Sequence, residues 1–280
     1  MKRPVLVAAV LSIAAVASGL VLMTASSVAA STLPTLTLAL TKNTITVGGS
    51  EASGAVNIVT TVTGESNDSP GLFLLKPGVT TAEFAAAAQR SVGKGSPFDA
   101  LDPYGSIVFF GFAAEGHPSS AETWLQPGTY IALENGHGHA VFTVTPSATP
   151  ALLPPPGAEI DAIDFGFRGA STLHDGELVR FKNDGYLIHM FLFAQAKNLA
   201  DAKKAEAALL SGNQSEIKQA THKYGTGVAG QFVGPLSHAN LQQEVINEPP
   251  GVYVIYCAMN AEDGREHFQL GMFRTITIVK

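Results

Sequence analysis

The chain has 280 residues, 46% of them hydrophobic and 14% charged, with a formal net charge of −6. Scattered charges of net acidic sign argue against nucleic acid as a partner, which calls for a basic face. The single cysteine, Cys257, excludes any disulfide within the chain.

The N-terminus reads MKRPVLVAAVLSIAAVASGLVLMTASSVAASTLP. Lys2 and Arg3 form a basic start, Pro4 to Met23 an apolar run, and Val28-Ala29-Ala30 a small-residue cleavage site. This predicts a secretory signal over 1–30 and a secreted, periplasmic or cell-surface protein. An uncleaved anchor is the alternative, because the run approaches the roughly 20 residues that span a bilayer. No later segment is apolar enough to span one, and no transmembrane segment is expected after cleavage.

From residue 31 the chain reads as short strands. TITVG, AVNIVTTVTG, LFLL, SIVFFGF, GTYIAL and AVFTVT carry β-branched and aromatic residues between Gly, Pro, Asn and Asp punctuation. A helical segment, AEFAAAAQ, follows LFLL. Three consecutive prolines within SATPALLPPPGAE mark a stiff linker over 148–158. Beyond it come ELVRFKN, HMFLF, LQQEVIN, VYVIYC and FRTITIV, with helical NLADAKKAEAALL and SEIKQATHK after HMFLF. The shared order suggests an internal duplication. Gln126–Leu133 matches Pro249–Tyr256, and Gly71-LFLL matches His189-MFLF. The expected fold is all-β: two tandem Greek-key β-sandwiches with short helical insertions, over 31–147 and 159–280.

Outside the cytosol a lone thiol pairs between chains, sits buried and inert, or ligates a metal. Alternation along VYVIYC places Tyr253, Ile255 and Cys257 on one face, with Cys257 at the strand end. A polar loop, AMNAEDGRE, leads to His267 and Met272, and FRTITIV resumes at once. Upstream, ELVRFKNDGYLIHMFLF enters a strand at His189. Two imidazoles, a thiolate and a weak thioether are the donors of a blue-copper site. Taken singly, each of the four has an ordinary reading as a core residue.

The two windows resemble those of the cupredoxins, the family of blue type 1 copper proteins. One is Phe181-Lys182-Asn183 with His189 six residues after the Asn. The other is Pro250-Gly251-x-Tyr253 leading to Cys257, His267 and Met272. The resemblance implies a cupredoxin-like fold, with motif matches in 159–280, and copper as cofactor. It implies His189, Cys257 and His267 as equatorial ligands and Met272 as the axial one. It also implies Asn183 as a supporting residue that ties the two ligand loops together. The function it implies is single-electron transfer with a redox partner protein. A copper-free binding or structural module, and copper delivery or storage, are the alternatives. The nine residues between Cys257 and His267 make a longer loop than in many small members. Whether His267 folds back to the sulfur is the open point.

In the first half Gly71 is read in place of His189 and Glu134 in place of Cys257, so no blue-copper site is expected there. His137-Gly138-His139 resembles the His-x-His pairs of multicopper oxidases, and with His117 it is a candidate surface metal site. Those enzymes need several such pairs, and here Cys257 is flanked by Tyr256 and Ala258 rather than histidines. Multicopper oxidase and nitrite reductase activity are therefore disfavoured, and no catalytic residue is expected.

Overall fold

Alternation of apolar and polar residues builds the strands. In β1 (Thr35–Thr41) Leu36, Leu38 and Leu40 turn inward while the residues between them face out. The computed structural model describes residues 32–64, 67–91, 97–134 and 138–280. The expected signal segment over 1–30 and His137 lie outside them. Among the described residues no helix is long and apolar enough to cross a membrane. The chain divides into two units that part between Pro154 and Pro155, with residues 240–242 grouped with the first.

The first unit contains β1, β2 (Thr44–Gly49), β3 (Gly54–Thr63), β4 (Asn67–Asp68) and β5 (Gly71–Leu75), followed by helices α1 (Thr81–Ser91) and α2 (Pro97–Leu101). Then come β6 (Gly105–Phe110), β7 (Ala113–Ala114), β8 (Ser119–Leu125), β9 (Gly128–Glu134) and β10 (Gly138–Val144). One sheet runs β8-β3-β1-β2 and the other β10-β9-β5-β6. Leu36, Leu38, Val56 and Ile58 from the first meet Leu72, Phe109, Tyr130 and Phe142 from the second in one buried cluster.

The second unit contains β11 (Ala158–Ile163), β12 (Gly166–Gly169), β13 (Thr172–His174), β14 (Leu178–Asn183) and β15 (His189–Ala196). Helices α3 (Leu199–Ser211) and α4 (Gln214–Tyr224) follow, then β16 (Gly225–Leu236), β17 (Leu241–Val245, of which only 243–245 group with this unit), β18 (Gly251–Tyr256) and β19 (Phe273–Val279). Its sheets run β12-β11-β14-β17 and β13-β19-β18-β15-β16. Aromatic rings bridge them: Phe191 of β15 meets Phe181 of β14 at 5.2 Å and Phe167 of β12 at 5.3 Å. The other face of β18 carries Val254, which packs with Ala202 and Leu209 of α3 and with Phe268. The fold is therefore all-β, two sandwiches with helical insertions, as the strand-rich sequence predicts.

The two units share a plan. In each, the first strand pairs antiparallel with the second and parallel with a later one, β1 with β3 and β11 with β14. In each, helices join the two strands that end on a lysine–tyrosine backbone bond, Lys76 to Tyr104 and Lys197 to Tyr224, both 2.9 Å. The tyrosines of the matched Pro-Gly strands make the same corner. Tyr130 donates to the Gln126 carbonyl at 2.9 Å and Tyr253 to the Pro249 carbonyl at 2.7 Å. The ladder corrects one detail of the sequence alignment. Gly71 pairs with Leu133 as Leu192 pairs with Tyr256, so Gly71 corresponds to Leu192. The counterpart of His189, three residues earlier than Gly71, is Asp68.

Candidate metal centre

Three buried side chains converge at one end of the second unit, and the buried Met272 is tied to the same segment through its backbone. His189 opens β15 and is fully buried, as are Cys257, just past β18, and Met272, just before β19. His267 starts a 3-10 turn, His267–Leu270, and is 1% exposed. The nine-residue loop closes by pinching out its middle. Asn260 bridges to Glu266, and the Ala261 amide donates to the Arg265 carbonyl at 2.7 Å. Gly264, at φ 85°, supplies the left-handed turn. Below the pinch, the His267 amide donates to the Met259 carbonyl at 2.7 Å and the Phe268 amide to the Cys257 carbonyl at 3.0 Å. The extra residues project outward, and His267 returns to the cysteine.

The return is close. His267 Nδ1 lies 3.4 Å from Cys257 Sγ and 3.1 Å from His189 Nδ1, and His189 Nδ1 lies 3.8 Å from the sulfur. An ion bonded at about 2 Å to nitrogen and about 2.3 Å to sulfur leaves its donors roughly 3 to 4 Å apart. The three separations fit one shared ion. Two imidazoles and a thiolate form the equatorial donor set of a blue-copper site. Among the described residues these three form the group of His, Cys, Asp or Glu side chains able to converge on an ion. Met272 is held beside them by its backbone: its amide donates to the His267 carbonyl at 3.0 Å and its carbonyl accepts from the Cys257 amide at 3.1 Å.

The electrostatics suit a metal as well. Burial pushes the Cys257 thiol up to about 12, although the Met190 and Met259 amides favour the thiolate. Burial, then the neighbouring His189, pushes His267 down to about 4, with Asp164 opposing. Burial also lowers His189, again against Asp164. At neutral pH both imidazoles are thus uncharged with a lone pair to offer, and only the thiol has a proton to lose.

Asp164 is a residue that the sequence reading missed. It sits in the turn between β11 and β12, and its Oδ1 lies 3.1 Å from His189 Nε2. A carboxylate only accepts, so Nε2 carries the proton and Nδ1 faces Cys257 and His267. Burial pushes the Asp164 carboxyl up, but the Leu187 and Tyr186 amides and the His189 ring outweigh it and hold it below the usual range. Ile163-Asp164-Phe165-Gly166 reads as an ordinary hairpin turn, and nothing in the sequence ties it to a histidine 25 residues on.

Asn183 plays a different part from the one expected. It is fully buried, and its Nδ2 donates to the carbonyls of Leu187 and Leu236, both at 2.7 Å, while Oδ1 accepts from the Gly185 amide. It thus fixes the turn ahead of His189 to β16, the partner strand of His189. The expected tie to the Cys257 loop is not made, because both amide hydrogens go to carbonyls on the His189 side. His238 supports the same turn through the Gly185 carbonyl, at 2.8 Å. His117 and His139, candidates for a surface site, are exposed and belong to no converging group among the described residues.

No family model and no curated protein matches the chain. Solved structures do. A dithionite-reduced auracyanin from Roseiflexus castenholzii is 18% identical, over 44% of this chain and 95% of its own, with a TM-score of 0.26. Auracyanin A, a blue copper protein from Chloroflexus aurantiacus, is 19% identical over 43% of this chain and 95% of its own, with a TM-score of 0.24. A multicopper oxidase is 11% identical over 87% of this chain and 88% of its own, with a TM-score of 0.24.

Proposed function

We propose that the chain is an exported copper protein that passes single electrons through a type 1 site made by His189, Cys257 and His267, with Met272 as the weak axial ligand. The observation that carries this is the approach of three buried donors to within 3.1 to 3.8 Å of one another. Copper held there would alternate between two oxidation states, one electron at a time. The protein's task is to keep the donors in place in both states, so that little has to move. Thiolate suits the reduced ion and imidazole the oxidised one. β15, β18 and the pinched loop supply a rigid frame, and the buried setting excludes water as a competing ligand. Export is supported by the n-region, apolar run and small-residue site of residues 1–30. An exported carrier exchanges electrons with a partner protein, and a buried donor set favours that role over catalysis on a substrate.

Copper delivery is the weaker reading, because a donor set this buried disfavours rapid exchange of the ion. The test is reconstitution of the purified protein with copper. One equivalent should be taken up with an intense thiolate-to-copper absorption in the visible red. Absence of both that absorption and stoichiometric uptake would overturn the proposal and favour a copper-free module.

A further inference from the structure

We propose that the two-residue turn Asp164-Phe165 caps the copper site, with Asp164 tuning His189 and Phe165 sealing His267 from water. This rests on the copper reading above. Ile163 pairs with Gly166 as the last rung between β11 and β12, so the turn is Asp164 and Phe165 alone. Each of its side chains meets a different ligand histidine.

Asp164 is aimed by its surroundings. Oδ1 accepts from the Leu187 amide at 3.1 Å and Oδ2 from the Tyr186 amide at 3.2 Å. Those amides belong to the segment leading into His189, so the carboxylate and the imidazole are fixed to one piece of chain. The carboxylate then takes the outer N–H of His189 at 3.1 Å. An ionised partner makes the ring a stronger donor than a neutral one does, and it sets the tautomer. Stronger donation favours the higher oxidation state of a bound ion. Gly185 leaves room for the pair: a Cβ there would stand 2.6 Å from Asp164 Oδ1 and 2.7 Å from His189 Nε2.

Phe165 faces the other ring. It is held at φ 62°, a left-handed conformation that is strained for an aromatic residue. Its ring stands edge-on to His267, centroids 5.3 Å apart and planes at 87°. The outer nitrogen of His267 is buried and has no hydrogen-bond partner. The two ligand histidines are therefore unlike: one is charge-assisted, the other is dry under a phenyl ring. Strain held at this one turn, with both neighbouring side chains meeting ligand rings, is the pattern of a positioning device.

The test compares copper-loaded wild type, Asp164→Asn, Gly185→Ala and Phe165→Ala. Asp164→Asn should keep the thiolate-to-copper band but lose copper affinity by about 10- to 100-fold. The loss should fall more heavily on the oxidised state and raise the reduction potential, by about 59 mV for each tenfold difference between the two states. Gly185→Ala keeps the carboxylate and wedges it from the ring, so it should shift the potential the same way. In the copper(I) protein, NMR should show the outer N–H of His267 protected from solvent exchange in wild type and exposed in Phe165→Ala, with that of His189 unchanged. Wild type that takes up no copper overturns the copper reading and the cap together. Blue wild type with unchanged potentials and affinities in Asp164→Asn and Gly185→Ala overturns the cap alone.

Discussion

Glu248 offers a measurable link between pH and the strand that carries Cys257. It is buried, and the Tyr253 hydroxyl that anchors the start of β18 lies 3.5 Å from its Oε2. Burial raises its pKa from 4.5 to about 7, against the opposing Gln231 amide and Tyr253 hydroxyl. A folded value above the unfolded one favours the fold while the carboxyl is protonated in both states. That contribution is complete below about pH 4.5 and is lost as pH rises through 7. The shift corresponds to an upper limit of about 3 kcal/mol, trimmed by water at the edge of the site. His267 works the other way: its folded value of about 4 lies below the ordinary 6.5, so its contribution is lost as pH falls through the same window. His189, also lowered by burial, acts in the same direction as His267, so wild-type stability alone does not isolate the Glu248 term. Glu248→Gln separates them. In metal-free protein its stability should match wild type near pH 4.5 and exceed it by about 1–3 kcal/mol above pH 7. Urea unfolding followed by circular dichroism at half-unit steps measures the difference. A constant difference across the range would refute the burial argument.

Copper(I) affinity should rise about tenfold per pH unit between pH 7.5 and 9, because the Cys257 thiol, pushed up to about 12, must lose one proton while both imidazoles, lowered from their ordinary value, carry none to lose. Competition with a chromophoric chelator reads the slope; a flat line would mean the thiol is ionised before the metal arrives. Cys257→Ser should abolish the visible band, since oxygen is a poor substitute for the soft thiolate, and Met272→Leu should keep the band and raise the potential. Absorption spectra and redox titration test these two. Tyr130→Phe should cost about 1–2 kcal/mol, because the hydroxyl serves both the carbonyl and the amide of Gln126. Thermal or urea unfolding checks it, and a change under about 0.5 kcal/mol, the scatter expected of a neutral surface substitution, would count against the corner.

Strand existence was legible because it rests on local pattern: Leu36, Leu38 and Leu40 announce a buried face without any knowledge of the partner strand. The convergence of His189, Cys257 and His267 was legible because few roles combine a cysteine at a strand end with a downstream His and Met. Register was not. Gly-LFLL and His-MFLF match by composition, but cross-strand partners set the register, and a local match cannot detect a three-residue offset. The behaviour of AMNAEDGRE was illegible for a related reason. Its closure depends on backbone bonds, from Ala261 to Arg265 and from His267 to Met259, that any side chains could accompany. Asp164 was hidden because its partner is distant in sequence and its turn is ordinary in composition.

The shared plan of the two units shows what the site needs beyond a sandwich. Both halves make corresponding sheets, with β13 added at one edge in the second, and share the tyrosine corner and the helical insertion between matched strands. At the two strand positions that hold His189 and Cys257 in the second unit, the first has Asp68 and Glu134, hard oxygen donors with little affinity for soft copper(I). The larger difference is in the connection. Three residues separate Glu134 from Gly138, whereas sixteen separate Tyr256 from Phe273. The longer connection brings Cys257, His267 and Met272 together and builds the 3-10 turn that aims the imidazole. Exchanging Asp68 and Glu134 for His and Cys would thus supply two donors, but not the sixteen-residue connection that returns His267 and Met272 in the second unit. The sandwich fixes two strand ends in space, and the pinched loop between β18 and β19 turns that frame into a centre.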